Sequence, residues 1–202
     1  MKSRGKLITF EGGEGAGKST VISFVKTKLE ANGYRALQTR EPGGCPFSEK
    51  VRELIMSESI EAKSELFLML AARAQHIHEV IRPALDEGTV VLCDRFTHST
   101  LAYQGAARGL GIQNLTSMCS FAEGSEKPAL ALFFDIEPKL GLMRAKNRGE
   151  QNRLDHEKLE FHEKVYAGFC ELLEMKELAR IDASQPLESV QEAAWEMVQG
   201  AL

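Results

Sequence analysis

The chain has no long apolar run and no excess of positive charge, and both absences exclude broad classes of protein. No stretch of its 202 residues approaches the roughly 18 uninterrupted apolar residues of a membrane-spanning helix, and Met1 to Arg4 contain no signal-peptide core. We therefore expect a cytoplasmic protein without membrane contact. The formal net charge is -4, whereas nucleic-acid binders usually present a positive surface, so we expect no nucleic-acid partner.

The sequence also lacks the cysteine patterns of metal and redox sites. No CxxC pair occurs, and no histidine stands at metal-ligand spacing from a cysteine. The cysteines are Cys45, Cys93, Cys119 and Cys170. We expect all of them to be reduced and structural.

Five short apolar runs alternate with helical patterns along the chain. The runs extend from Leu7 to Phe10, Arg35 to Thr39, Thr89 to Cys93, Leu130 to Phe134 and, more weakly, Leu178 to Ile181. Strands separated by helices predict an α/β fold, with a five-stranded parallel sheet and helices on both faces. Without a linker-like tract or internal repeat, residues 1–202 are predicted to form a single domain. Ligands of such folds bind beyond the carboxyl ends of the strands.

The segment after the first run has the pattern of a phosphate-binding loop, GxxxxGKS between a strand and a helix. Glycine is needed because backbone N–H groups must converge on phosphate oxygens, and a Cβ would hold the chain away. Lys18 adds a positive charge for the outer phosphates, and Ser19 adds a hydroxyl for Mg²⁺. The predicted ligand is a nucleoside triphosphate, with ATP expected. The loop consists of Gly12, Gly13, Glu14, Gly15, Ala16, Gly17, Lys18, Ser19 and Thr20.

This loop alone does not distinguish kinases from other nucleotide-using proteins. A GTPase would be expected to carry Asn-Lys-x-Asp after a late strand, and that tetrapeptide is missing. A motor or DNA-processing ATPase usually needs a larger domain and a basic track. The remaining segments must therefore decide the class.

Charged residues follow the second and third predicted strands. Asp94, at the end of an apolar strand, has the place of an acid that holds magnesium or its water shell; a helix cap or a salt bridge to Arg95 is the alternative. Arg40 and Arg95 can each make bidentate contacts to a phosphate. With Arg73 on the helix between them, they predict a second anion site that faces the phosphate loop.

Several segments together resemble bacterial thymidylate kinases over essentially the whole chain. They are GGEGAGKST, TREPGG, AARAQH, DRFTHSTLAYQG and RAKNRGEQNR. The resemblance implies an ATP-dependent, Mg²⁺-requiring phosphotransferase that converts thymidine 5′-monophosphate (dTMP) to the diphosphate and so supplies dTTP for DNA replication. It also implies a homodimer packed through helices. We relate this dimer to a long predicted helix that carries Leu66, Phe67, Leu70, Ile77 and Ile81.

The resemblance assigns roles at matched positions. Glu14 recognises the 3′-hydroxyl of the acceptor sugar. Arg95 binds the monophosphate, and Arg40 supports it. Arg73 donates to a thymine carbonyl. Tyr103 crowds C2′ and disfavours ribonucleotides; a core tyrosine beneath the strand ends is the alternative. The other implied acceptor contacts are Pro42, Met69, Ser99, Thr100 and Gln104.

The resemblance also implies a short mobile lid over about residues 144–155. Arg148 and Arg153 are its implied catalytic residues, and Arg144 is an implied ATP contact. The segment between Lys139 and Arg153 is rich in cations and contains only one acid, Glu150. Taken alone, the segment would better suit a solvated helix face.

One position departs from the family pattern. An aromatic residue commonly stacks on thymine four residues before the helix arginine, and here that position is Met69. Methionine can still make a sulfur–ring contact. Alternatively, Phe67 takes the role after a shift of the helix.

The implied reaction needs alignment and neutralisation of charge more than acid–base chemistry. Its acceptor is a phosphate oxygen that is already anionic, so we assign no general base. Lys18, Mg²⁺ and Arg148 neutralise the transferred group while Arg95 holds the acceptor in line. A kinase of another acceptor, such as guanylate, cytidylate or a deoxynucleoside, and a P-loop protein without turnover remain open.

Overall fold

The computed structural model describes residues 3–146 and 157–202, and within them one parallel sheet has five strands in the order β2-β3-β1-β4-β5. Each strand begins and ends within one residue of its predicted run, and the predicted α/β fold class is confirmed. The strands are β1 Leu7–Glu11, β2 Ala36–Arg40, β3 Val90–Asp94, β4 Leu130–Asp135 and β5 Ala179–Asp182.

Helices connect the strands on both faces of the sheet. They are α1 Lys18–Ala31, α2 Pro46–Ser57, α3 Ala62–His76, α4 Arg82–Asp86, α5 Thr97–Thr100, α6 Ile112–Glu123, α7 Pro138–Lys146, α8 Leu159–Glu174 and α9 Leu187–Ala201, with π-helical segments at Ile77–Ile81 and Leu101–Ala107. The long helix predicted between α2 and β3 is therefore a continuous run of α3, a π-helical segment and α4. No helix among the described residues is long and apolar enough to cross a membrane.

The core occupies both faces of the sheet because successive strand residues point in opposite directions. Ile8 and Phe10 of β1 pack with apolar residues of α1 and α9. Leu7, on the other face, packs with Ile77 and Ile81 of the π-helical segment after α3. Burial on both faces explains why the central strands read as nearly continuous apolar runs.

The position of β1 determines where the polar loops meet. It lies between β3 and β4, and Phe10 is in register with Asp94, which is in register with Arg40 on the other side. Because the strands are parallel, the loops that follow β1, β2 and β3 leave the same edge of the sheet side by side. The predicted phosphate loop and the predicted second anion site therefore converge at this edge.

Candidate active site

The phosphate loop adopts the backbone conformation that its glycines allow. Gly12, Gly15 and Gly17 have φ of 139°, 70° and 83°, a region that other residues rarely adopt. A Cβ added to Gly15 would also overlap the carbonyl oxygen of Gly141 on α7. Glycine thus serves both the turn and its close packing against α7, a contact that the motif did not predict.

Lys18 folds its buried side chain back over the loop. Its Nζ donates to the carbonyl oxygens of Gly12 at 3.1 Å and Gly13 at 2.9 Å. Burial, reinforced by the like charge of Arg95, lowers the pKa of Lys18 to about 8. Both hydrogen-bond acceptors are neutral, so phosphate oxygens are stronger partners for this ammonium group.

Ser19 and Asp94 form an oxygen-rich pair beside the loop. The Ser19 hydroxyl donates to Asp94 Oδ2 at 2.9 Å. Asp94 Oδ1 is buried and has no hydrogen-bond partner within the described residues. Hydroxyl and carboxylate oxygens are ligands that Mg²⁺ prefers. The geometry therefore fits the metal role predicted for both residues better than a salt bridge from Asp94 to Arg95.

Arg95 turns instead toward the phosphate loop. Its Nη1 donates to the Gly12 carbonyl at 2.8 Å, and its Nη2 donates to Glu14 Oε1 at 2.7 Å. The Tyr103 hydroxyl donates to the same oxygen at 3.0 Å. Burial alone would raise the pKa of Glu14, but the charges of Arg95 and Lys18 outweigh burial and lower that pKa to about 2. Glu14 is therefore an anion held between the two predicted phosphate sites.

The backbone of Arg95 has a conformation that is costly for a side-chain-bearing residue. Its φ is 67°, and left-handed backbone costs an L-residue about 1–2 kcal/mol. The Arg95 N–H nevertheless donates to the Phe10 carbonyl at 3.0 Å, which ties this turn to β1. Such strain is typical of functional positions, and here it directs the guanidinium group across the loop.

Tyr103 is buried in the core, as one of its two interpretations expected, and it also contacts the predicted acceptor group. Its side chain is buried, and the ring packs edge-on against Phe161 and Phe169, with centroids 6.1 and 6.4 Å away. Its hydroxyl nevertheless reaches Glu14, and the Arg95 guanidinium carbon lies 5.0 Å from its ring centroid. Burial raises the pKa of this hydroxyl, so it remains a donor at neutral pH.

Arg73 lies in a fully buried polar network. Its Nε donates to Glu41 Oε2 at 2.7 Å, its Nη1 to Thr97 Oγ1 at 3.1 Å, and its Nη2 to Thr100 Oγ1 at 2.9 Å. His76 Nδ1 lies 3.0 Å from the second Glu41 oxygen. Glu41 and His76 belong to the TREPGG and AARAQH segments, but no sequence pattern indicated that they meet across the fold.

A buried cysteine lies next to this network. Cys93 Sγ and the ligand atoms of Glu41 and His76 lie within 4.8 Å of one another. Glu41 already binds Arg73, and His76 Nε2 lies 2.7 Å from Thr39 Oγ1. We therefore assign no metal to this group.

Arg40 is paired with an acid that its sequence surroundings did not indicate. Its guanidinium group donates twice to the Glu49 carboxylate of α2, at 3.0 and 2.8 Å. Both side chains line an open cleft of about 780 Å³ that also contains Ser19 and Asp94. The neighbouring Pro42 is buried, after a cis Glu41–Pro42 peptide bond. Arg40 therefore stands at the rim of the site rather than in its centre.

The residues predicted near the base lie along α3 and the segment that follows β3. Gln104 is 3% exposed, and its Nε2 donates to Glu65 Oε1 at 2.8 Å. Met69 is partly buried. Phe67 is 58% exposed and lies in a groove with Phe121 of α6, so the suggestion that it replaces Met69 is wrong. The reason is helical geometry, since residues two apart point to different sides.

Ser99, another predicted acceptor contact, is also buried. It is 4% exposed, and its hydroxyl donates to Glu11 Oε2 at 2.5 Å. His98 Nδ1 lies 3.8 Å from the other Glu11 oxygen. Ser99 thus lies beneath the end of β1, apart from the group formed by Arg95, Glu14 and Tyr103.

A second cleft borders the phosphate loop on the side opposite the predicted acceptor site. Arg144 of α7 donates from Nη1 to the Ala183 carbonyl at 2.8 Å. The cleft encloses about 420 Å³ and is lined by Ala16, Gly17, Val21, Arg144, Ala183, Ser184, Gln185, Pro186, Leu187 and Val190. Sequence reasoning missed the loop after β5, although its place at the carboxyl end of a predicted strand was the available signal. The lid residues Arg148 and Arg153 lie outside the described residues.

Comparison with known proteins gives consistent matches over nearly the whole chain. The family described as Thymidylate kinase matches residues 10–194. The chain is 46% identical over 203 residues to a thymidylate kinase of Magnetococcus marinus, covering 98% of this chain and 97% of that protein. It is 48% identical over 206 residues to a thymidylate kinase of Oceanobacillus iheyensis, covering 98% and 91% of the two chains. A thymidylate kinase of Bacillus licheniformis is 45% identical over 205 residues.

Proposed function

The chain belongs to the thymidylate kinase family and catalyses the ATP-dependent phosphorylation of dTMP to dTDP, and we propose how its residues divide this work. The observation that carries the proposal is the group formed by Arg95, Glu14 and Tyr103 directly beside the phosphate loop. This group provides a site for an anion and a sugar next to the triphosphate site of the phosphate loop. This arrangement suits transfer from a triphosphate to a monophosphate.

The donor occupies the phosphate loop and the cleft beside it. Backbone N–H groups of the loop hold the inner phosphates of ATP, and Lys18 exchanges its carbonyl partners for oxygens of the outer phosphates. The adenine ring enters the cleft that Arg144 and the loop after β5 line. A volume of about 420 Å³ is within the range of small-ligand pockets.

Ser19 and Asp94 hold the divalent cation, which we propose to be Mg²⁺. The buried, unpartnered Asp94 Oδ1 and the adjacent Ser19 hydroxyl supply oxygen atoms at the edge of the donor site. When bound, Mg²⁺ neutralises phosphate charge and orients the β- and γ-phosphates. The protein's own contribution is to position the two oxygens before the nucleotide arrives.

The acceptor lies on the side of Glu14 that faces away from the donor. Arg95 binds the dTMP phosphate and holds it in line with the donor, while Arg40 approaches from the rim. Glu14 accepts from the 3′-hydroxyl, and the ring of Tyr103 occupies the space that a 2′-hydroxyl would need. No residue is assigned as general base, because the attacking phosphate oxygen is already anionic at neutral pH.

The lid arginines neutralise the remaining negative charge of the transferred phosphoryl group. Arg148 and Arg153 lie outside the described residues, and their proposed role rests on the RAKNRGEQNR segment. Because the transition state spreads charge over the transferred group, Arg148→Ala should lower kcat more than it raises either KM. A change in KM alone would make the lid a binding element and require another catalytic arginine.

We also propose that the enzyme is a homodimer. The predicted interface needs correction, because Leu66, Ile77 and Ile81 of the long helix face the protein's own core. The apolar surface that remains is a groove of about 520 Å³ between α3 and α6, with Phe67 58% exposed and Phe121 91% exposed. Sedimentation at micromolar concentration should show a dimer that Phe121→Asp dissociates. A wild-type species of 22 kDa only would contradict the proposal.

The function is tested by profiling acceptors. We expect coupled ADP release to be fastest with dTMP when dTMP, dUMP, dCMP, dGMP and free thymidine are compared at equal concentration with ATP and Mg²⁺. Replacing Mg²⁺ by Ca²⁺ should abolish turnover if octahedral oxygen coordination is required. A cytoplasmic location is proposed because both substrates belong to the cytoplasmic nucleotide pool. Preference for a non-thymine acceptor would overturn the assignment of the acceptor site.

A further inference from the structure

Two buried cross-links join α3 to the helical segment after β3. One connects Arg73 to Thr100, at 2.9 Å, and the other connects Glu65 to Gln104, at 2.8 Å. Arg73 and Glu65 are eight residues apart, or about 12 Å along a helix. Met69 lies midway between them, on the same side of α3. An acceptor base that reaches Arg73 and Met69 therefore has the Gln104 amide at its edge.

The Gln104 amide has an orientation that its neighbour dictates. A carboxylate can only accept hydrogen bonds, so the amide must turn its NH₂ group toward Glu65. Arg108 lies beside this carboxylate, with its Nε 3.5 Å from Glu65 Oε1. Its guanidinium group in turn stacks on the Phe161 ring, at 4.4 Å from the centroid.

The amide oxygen that results from this orientation has no partner. Gln104 Oε1 is buried and accepts no hydrogen bond from the described residues. A buried acceptor without a donor is costly, by an amount equivalent to about tenfold or more in a binding constant. Such a group is typical of a site that completes its hydrogen bonds only when a ligand binds.

We infer that Glu65 is a positioning residue that sets base specificity by fixing the Gln104 amide. The inference rests on the proposed acceptor site. Thymine and uracil present an N3–H donor to the Gln104 oxygen, whereas cytosine presents a bare N3 acceptor. Two facing acceptors repel each other. Rotating the amide to suit cytosine would turn its oxygen against the Glu65 carboxylate, so both orientations reject cytosine.

The decisive variant is Glu65→Gln, which keeps the size of the side chain but can donate as well as accept. The Gln104 amide is then free to rotate and to offer its NH₂ group to cytosine. We expect the ratio of kcat/KM for dTMP over dCMP to fall by about tenfold or more. The change should appear mainly in KM, because the base is remote from the transferred phosphoryl group.

Two internal controls separate positioning from a general loss of structure. In Glu65→Gln, the ratio of kcat/KM for dTMP over dUMP should stay within about twofold of the wild-type ratio, since both bases carry N3–H. A misfolded acceptor pocket would also lose its preference for the 5-methyl group and so would change this ratio. Glu53→Gln makes the same chemical change at an exposed position on α2 and should leave every ratio unchanged. Melting temperatures measured on all variants confirm that they are folded.

A double-mutant cycle tests whether Glu65 acts through Gln104. In a Gln104→Ala background, Glu65→Gln should change the dTMP over dCMP ratio by less than about twofold. An equal fall in both backgrounds, or an unchanged ratio in the single variant, would overturn the inference. If Glu65→Gln does not fold, Glu65→Asp keeps the charge beside Arg108 but shortens the reach, and it must lower the same ratio. A wild type that does not phosphorylate dTMP would instead refute the proposed function.

Discussion

The ring and the hydroxyl of Tyr103 have different partners, so two substitutions can separate its structural role from its functional role. Tyr103→Phe removes only the hydroxyl that donates to Glu14 at 3.0 Å. Tyr103→Ala also removes the ring that packs on Phe161 and Phe169. If the ring excludes the 2′-hydroxyl of a ribonucleotide, the first variant keeps the sugar preference and the second loses it.

The stability changes can be worked from these contacts. A hydrogen bond to a charged acceptor contributes about 1.5–3 kcal/mol, so Tyr103→Phe should lower the melting temperature by about 3–12 °C in a chain of this length. Removing a buried aromatic ring costs about 3–5 kcal/mol, which corresponds to a fall of about 6–20 °C for Tyr103→Ala. Glu14 keeps its ion pair with Arg95 in both variants, so neither should leave the carboxylate without a partner.

The assay compares dTMP with ribothymidine 5′-monophosphate. An apolar pocket discriminates against an added hydroxyl by about 10²-fold. We expect a kcat/KM ratio of at least this order in the wild type, and it should survive in Tyr103→Phe and approach unity in Tyr103→Ala. Measurements at 25 °C, below both expected transitions, keep each variant folded. Loss of the ratio in Tyr103→Phe would show that the hydroxyl selects the sugar. An unchanged ratio in Tyr103→Ala would return Tyr103 to a purely structural role.

Three further outcomes test other parts of the site. Lys18→Ala should abolish ADP release while the melting temperature stays close to that of the wild type, and retained turnover would reject the assigned role of the phosphate loop. Glu41→Gln should lower stability by about 3–5 kcal/mol in urea titrations, because Arg73 is left as a buried unpaired charge, whereas Glu49→Gln at the exposed rim should cost less than about 1 kcal/mol. Since the pKa of Glu14 is about 2 when folded and 4.5 in the reference state, its contribution of at most about 3 kcal/mol is present above pH 4.5 and lost as the pH falls toward 2. Glu14→Gln should therefore lose less stability over that pH range than the wild type, and parallel acid titrations would contradict this.

Local sequence patterns determined the fold class and indicated the positions of the groups that we propose to be catalytic. The runs around Phe10, Cys93 and Phe134 are apolar because central parallel strands are buried on both faces. The bounds of these strands could therefore be predicted from the apolar runs in the sequence. The phosphate loop was equally readable, because convergent N–H groups require glycine at fixed spacing from Lys18. Strand ends then indicated Asp94 and Arg95, since parallel strands deliver their carboxyl ends to one edge.

Tertiary structure alone decided which distant side chains meet. The partners of Arg73, Gln104 and Arg40 are Glu41, Glu65 and Glu49, at separations from nine to 39 residues along the chain. No local pattern encodes such pairs, because each forms only when a helix packs against a second element at the carboxyl ends of the strands. The sequence could place an arginine or an amide near the base, but the orientation of each group depends on the buried carboxylate that the fold brings beside it.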